Sequence, residues 1–269
     1  MPASEALDPA QATERLVACV REAGVLALAL FDRPVKTWTK AGSSPVSEAD
    51  IAVDHLLRQR LAFDGADVGW LSEESIDDPA RLAARYVWIV DPIDGTRAYL
   101  AGLPDWAISA ALVDNGRPIA ACLYAPVTEE LFAATVNKGA TCNGTAIAAT
   151  RGTSLAQARI AGPKRFLDRL VAIAPPFTVM PRVRSLALRL ARVAQGVFDV
   201  AIAGGDSHDW DLAAADLLVH EAGGALTLAG GGDVIYNCSV PRHQTLVAAG
   251  RDRHATLIKL LRDERLASV

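Results

Sequence analysis

The stretch Trp88-Ile-Val-Asp91-Pro-Ile-Asp94-Gly-Thr96-Arg97 decides the reading of this chain. It begins inside an apolar, β-branched and aromatic run, residues 86–90, which has the character of a buried strand ending at Asp91. Two aspartates then stand three residues apart, followed by Gly-Thr. Pro92 fixes its own φ and carries no N–H, while Gly95 lets the backbone approach a ligand and can aim its amide at an anion where the next helix begins. Carboxylates beside free amides at a helix start suit a cation together with a phosphate. On these residues alone a plainer reading stays open, in which Asp91 ends a strand and Asp94 caps a helix.

Working outward, a second apolar run, residues 68–72, ends at Glu73 and Glu74, and Asp209-Trp-Asp211 opens an apolar helix of about residues 211–222. Three separate element ends thus offer carboxylates, and hard cations such as Mg²⁺ take oxygen ligands in preference to Cys or His. Toward the N-terminus, Leu16, Val20, Ala23, Ala27 and Leu30 recur at helical spacing from Pro9 to about Phe31, and Pro34 stops that helix. Ser47-Glu-Ala-Asp50 is a capping box that starts a second helix and puts Asp50 in its first turn. Residues 106–148 alternate apolar runs with Asp114-Asn-Gly116, Lys138-Gly139 and Asn143-Gly144, an antiparallel meander.

Beyond Arg151 the pattern becomes strand (158–162), helices (about 164–172 and 183–195), strand (197–203), the helix at 211–222, strands (225–229 and 246–250) and a last helix from about His254. Gly230-Gly-Gly-Asp233 reads as a surface turn. A boundary near 150–155 divides an N-terminal half, 1–153, carrying the metal loop, from a C-terminal half, 154–269, contributing Asp211.

At 269 residues, 51% hydrophobic and 22% charged, the chain has an ordinary globular composition and not a disordered one. A protein of this size buries roughly 70% of its unfolded surface, so its core needs no staples. The net charge of −4, a pI near 5.7 and the lack of any basic run exclude a nucleic-acid polymer or an anionic membrane as the main partner. Cys19, Cys122, Cys142 and Cys238 are widely spaced without a zinc pattern and read as reduced, mostly buried thiols. With no basic segment followed by an apolar stretch at the N-terminus, a cytoplasmic protein is expected.

Together, Leu71-Ser-Glu73-Glu74-Ser, Asp91-Pro-Ile-Asp94-Gly-Thr96 and Trp210-Asp211-Leu-Ala-Ala resemble the inositol monophosphatase superfamily of Mg²⁺-dependent, lithium-sensitive phosphatases. The resemblance implies a layered αβαβα sandwich with the active site between two halves, a homodimer, and two to three Mg²⁺ per site. It places one metal on Glu73, Asp91 and the carbonyl of Ile93, a second on Asp91, Asp94 and Asp211, and a weaker third near Glu73. It makes Thr96, held by Asp50, the group that orients the attacking water together with Glu73, and has Gly95 and Thr96 hold phosphate oxygens. The haloacid-dehalogenase-like loop, with its Asp-x-Asp-Gly-Thr spacing, is the rival; here one further residue separates the aspartates.

For the substrate, a small phosphorylated metabolite, the resemblance divides. Lys40 and the Ser-Pro-Val-Ser run before Asp50 are similar to 3′(2′),5′-bisphosphate nucleotidases and bacterial histidinol-phosphate phosphatases, and Arg97-Ala-Tyr-Leu to the latter. The acid that contacts inositol in inositol-specific members is absent near Gly204, with Asp206 and His208 close by. Arg182, Arg184 and Ser185 stand where the family faces the leaving group. The sequence therefore predicts a phosphomonoesterase of nucleotidase or inositol-1-monophosphatase type, the alternatives being histidinol-phosphate phosphatase or a non-catalytic phosphate sensor. The runs 106–113 and 122–127 are candidates for the dimer interface.

Overall fold

A computed structural model describes residues 6–31, 33–39, 45–62 and 68–263. Its first helix, α1 (Pro9–Phe31), buries Leu16, Val20, Ala23 and Ala27. A ribbon of β1 (Thr37–Thr39) and β2 (Pro45–Ser47) leads into α2 (Glu48–Leu61). The start of α2 is fixed by the expected box, in which Asp50 Oδ2 accepts from the Ser47 amide at 2.8 Å and its hydroxyl at 2.6 Å.

Seven strands follow: β3 (Val68–Ser72), β4 (Tyr86–Asp94), β5 (Ala107–Asp114), β6 (Arg117–Ala125), β7 (Glu130–Thr135), β8 (Gly139–Cys142) and β9 (Thr145–Ala146), with the short α3 (Thr96–Leu100) after β4. They form one sheet in chain order, parallel between β3 and β4 and antiparallel elsewhere. The Asn-Gly signals are the hairpin turns: Asn115 and Gly116, like Asn143 and Gly144, have the paired positive φ that such turns require. Strand alternation sends Trp88, Val90, Ile108 and Leu112 toward α1 and α2, and Val87, Ile89, Ala111 and Val113 to the opposite face. Gly24 allows α1 to lie on β6, since a Cβ there would stand 2.4 Å from the Tyr124 ring.

The second sheet contains β10 (Arg159–Ala161), β11 (Thr178–Val179), β12 (Val200–Ala203), β14 (Gly224–Leu228) and β16 (Leu246–Gly250), in the order β11-β10-β12-β16-β14. A separate ribbon pairs β13 (Ser207–His208) with β15 (Arg242–His243). Between the two sheets lie α5 (Leu186–Ala194) and α6 (Asp209–Glu221), while α4 (Lys164–Ile173) and α7 (Arg251–Asp263) cover the far face. This is the expected five-layer αβαβα sandwich. Every residue of α6 from Leu212 to Val219 is buried, as befits a helix between two sheets, and the one acid among them, Asp216, accepts from the Tyr236 hydroxyl at 2.9 Å.

Several expectations need correction. The strand expected to stop before Asp91 continues to Asp94, and the last helix begins at Arg251, three residues before His254. Cys19 and Cys122 are buried, but Cys142 is half-buried and Cys238 exposed. The runs proposed for a dimer interface form the central strands β5 and β6, and apart from Tyr124 and the exposed Val127 their residues are buried within the single chain. Among the described residues no helix is long and apolar enough to cross a membrane.

Candidate metal and phosphate site

Because β3 and β4 run parallel with Ser72 opposite Val90, Glu73 and Asp91 leave neighbouring strands at the same end, where the Glu73 amide donates to the Val90 carbonyl at 3.3 Å. Residues three apart on a regular strand point to opposite faces. Here the register of β4 against β5 shifts between Asp91 and Asp94. A bulge absorbs the extra residue, turns both carboxylates to one side, and accommodates Pro92, which has no ladder N–H to lose. Asp211 arrives from the first turn of α6, and oxygen atoms of Asp91, Asp94 and Asp211 lie within 4.8 Å of one another.

Such a cluster is electrostatically costly. Burial raises the Asp91 carboxyl well above the ordinary range, and the negative charges of Glu73, Asp94 and Asp211 push it further. Burial and then Asp94 do the same to Asp211, although the His208 amide donates to its Oδ2 at 2.6 Å. Asp94 is raised by burial, and opposed in this by Ser185 and the Ala187 amide, which donate to its Oδ2 at 2.5 and 2.6 Å. One Asp91 oxygen accepts from the Ile93 amide at 3.0 Å; the other is buried and has no hydrogen-bond partner among the described residues. A hard divalent cation fits this all-oxygen donor set and compensates its charge.

The Thr96 hydroxyl is within 3.1 Å of the Ile93 carbonyl and 3.2 Å of Asp50 Oδ1, so Asp50 serves both as the cap of α2 and as an anchor for Thr96. Burial raises the Asp50 carboxyl, against the hydrogen bonds from Ser47 and Thr96. Gly95 adopts φ +101°, and a Cβ there would stand 3.1 Å from the Asp105 carbonyl and 3.3 Å from the Ser185 amide. Gly95→Ala is therefore expected to cost about 1–2 kcal/mol for the left-handed backbone. Displacing the neighbouring Asp94 and Thr96 should lower kcat by about a hundredfold. Urea unfolding and Mg²⁺-dependent turnover check this, and wild-type values for both would show that the turn tolerates a side chain.

A cleft of about 440 Å³ opens above the acidic cluster, with Arg97, Arg182 and Arg184 on its walls. The Arg184 guanidinium and amide are both engaged by Asp105. Arg182 is exposed and has no hydrogen-bond or ion-pair partner among the described residues; it also borders an adjoining cavity of about 660 Å³ walled by Leu167, Val171, Val179 and Met180.

Three expected substrate contacts lie elsewhere. Ser185 is fully buried, caps α5 and holds Asp94, because a helix N-cap hydroxyl is committed to the amides and acid beside it. Asp206 is exposed, at positive φ, with Arg242 3.8 Å away. His208 stacks on Trp210 and accepts from Arg242, and it serves Asp211 through its backbone amide. Lys40 is outside the described residues.

The sequence reading gave no role to two buried acids, Asp209, noted only as part of the start of a helix, and Asp54. Asp209, fully buried, accepts from the Asn237 amide at 2.7 Å and lies 2.6 Å from His243 Nε2, which fixes the start of α6. Asp54 binds two serines beside Glu73. Their signal was spacing: Asp209 stands two residues before Asp211, and Asp54 one helical turn after Asp50.

A model of the inositol monophosphatase family matches residues 8–266. The inositol-1-monophosphatase of Rhizobium meliloti (strain 1021) is 34% identical over 202 residues, which cover 72% of this chain and 75% of that protein. The histidinol-phosphatase of Mycobacterium tuberculosis (strain ATCC 25618 / H37Rv) is 34% identical over 229 residues, 76% of this chain and 86% of that one. Among solved structures, the extragenic suppressor protein suhB from Bartonella henselae superposes with a TM-score of 0.81 at 28% identity, covering 92% of this chain and 97% of that chain.

Proposed function

The chain belongs to the inositol monophosphatase family and is a phosphomonoester hydrolase; we propose that it is Mg²⁺-dependent and acts on small monoesters whose leaving group is neutral or further negatively charged. The observation that carries the reading is the convergence of two buried aspartates, one with an unpartnered oxygen, and the half-buried Asp211 beneath a wall of arginines. Glu73, Asp91 and the Ile93 carbonyl would hold one cation, and Asp91, Asp94 and Asp211 a second. When bound, the metal supplies Lewis-acid stabilisation of phosphoryl charge and lowers the pKa of water.

The chain's own groups do the rest. With its proton directed to Asp50 or the Ile93 carbonyl, the Thr96 hydroxyl turns its lone pairs outward to accept from the attacking water. The Gly95 and Thr96 amides begin α3, where amides lack helical acceptors, and are placed to hold non-bridging phosphate oxygens. Arg97 and Arg182 favour an anionic substrate and disfavour an amine, and the cavity beyond Arg182 leaves room for a group larger than a cyclitol.

The test compares Mg²⁺-dependent kcat/KM for 3′-phosphoadenosine 5′-phosphate, inositol 1-phosphate and histidinol phosphate, with lithium as a control. One of the first two is expected to exceed histidinol phosphate, which carries an amine, by about a hundredfold, equivalent to about 2.7 kcal/mol of differential transition-state binding. Preference for histidinol phosphate would reverse the assignment of the leaving group. Absence of phosphate release from all three would overturn the proposed substrate class.

A further inference from the structure

We propose that Asp54 is the positioning residue for Glu73, so that a single face of α2 sets two walls of the metal site. This rests on the reading above that Glu73 belongs to that site. Asp50 and Asp54 are four residues apart on α2 and so leave the same face of the helix. Asp50 reaches Thr96, on the far side of the β4 bulge. Asp54, only 3% exposed, accepts from Ser72 Oγ at 2.5 Å through Oδ1 and from Ser75 Oγ at 2.7 Å through Oδ2.

Those two serines bracket Glu73 and Glu74, so each oxygen of one carboxylate grips one flank of the segment. Each serine is itself fixed: Ser72 Oγ accepts from the Glu74 amide at 3.3 Å, and Ser75 Oγ from the Trp70 indole N–H at 3.2 Å. The clamp is needed because β3 is the edge strand of its sheet, and β4 supports its exit from one side only. Packing alone does not call for an acid at this place, since a buried carboxylate is costly unless its oxygens are satisfied. What a carboxylate adds over an apolar side chain is two directed acceptors at fixed separation.

The test measures Mg²⁺ affinity by calorimetry, amide hydrogen exchange over residues 72–76, and kcat and KM, in Asp54→Ala, Ser75→Ala and, as a control, Leu57→Ala. Leu57 is fully buried on the same helix and touches neither serine by hydrogen bond. Asp54→Ala is expected to weaken Mg²⁺ binding and lower kcat by about 10- to 100-fold, as loss of groups that orient metal ligands does, with KM changed less than about threefold. Exchange over 72–76 should accelerate in parallel. Ser75→Ala, which keeps one of the two bonds, should show a smaller loss of the same kind, and it carries the test if Asp54→Ala does not fold. Leu57→Ala should lower Tm yet leave Mg²⁺ affinity within about twofold while folded.

Wild-type affinity in both Asp54→Ala and Ser75→Ala, or an equal loss in Leu57→Ala, would overturn the proposal. Wild-type protein that binds Mg²⁺ but releases no phosphate would instead sink the proposed activity, and the affinity comparison would still decide the role of Asp54.

Discussion

Asp211→Asn is expected to lower Mg²⁺-dependent phosphate release by about a thousandfold or more, some 4 kcal/mol of transition-state stabilisation. The substitution keeps the size of the side chain, and its oxygen can still accept from the His208 amide. What disappears is one negative charge from a group of three aspartates whose oxygens lie within 4.8 Å. The metal-free protein should respond in the opposite sense. Burial and the Asp94 charge oppose ionisation of Asp211, so the asparagine variant in EDTA should melt no lower than wild type. Near-wild-type turnover at saturating Mg²⁺ would remove Asp211 from the site, and a collapse in EDTA would show that its charge is structural.

The second large effect is the coupling of metal to pH. Mg²⁺ should raise Tm far more at pH 8 than at pH 5, and the increment should be small in Asp211→Asn at either pH. Asp91 and Asp211 both have folded values raised above the unfolded carboxyl, primarily by burial. In the metal-free protein their stabilising contribution is fully present below the unfolded value of about 3.9 and is lost as pH rises through the raised values, by up to about 1.4 kcal/mol per group per pH unit. A cation reverses this by taking the place of the protons, and at about a hundred times its Kd it adds some 2.7 kcal/mol.

The difference between Mg²⁺ and EDTA is the quantity to measure, since it cancels groups such as Asp199, held at about 2 against burial by Arg159 and Thr150. Calorimetry in buffers of different ionisation enthalpy should show protons released on binding. A pH-independent increment would mean that these carboxylates are already ionised before the metal arrives.

The site was legible in the sequence wherever its logic is local. The Ser47–Asp50 box, the Asp-Gly-Thr turn and the aspartate at the start of α6 each advertise themselves within four residues. So do the Asn-Gly turns, whose φ values follow from residue type. What stayed hidden is what two distant segments decide together. Ser185 has a helix-cap signature, but that its hydroxyl closes on Asp94, 91 residues earlier, follows from α5 packing beneath the bulge. Asp54 looks like any polar residue of a helix until β3 brings Ser72 and Ser75 to it. The bulge itself was invisible, because Pro92 is as much at home after a strand as within one. The order of the second sheet, with β16 between β12 and β14, likewise has no local signal.

That bulge makes the turn a device that counts. Replacing Ile93, whose carbonyl rather than side chain is offered to the site, leaves Asp91 and Asp94 on the same side of the sheet. Deleting one residue between them would leave the two aspartates two apart on a regular pleat, still on one face, but would remove the extra backbone unit that brings the Ile93 carbonyl to the Thr96 hydroxyl. Lineages and library designs can therefore vary the letters of this segment far more freely than its length, and a single codon lost here is worse than most codons changed.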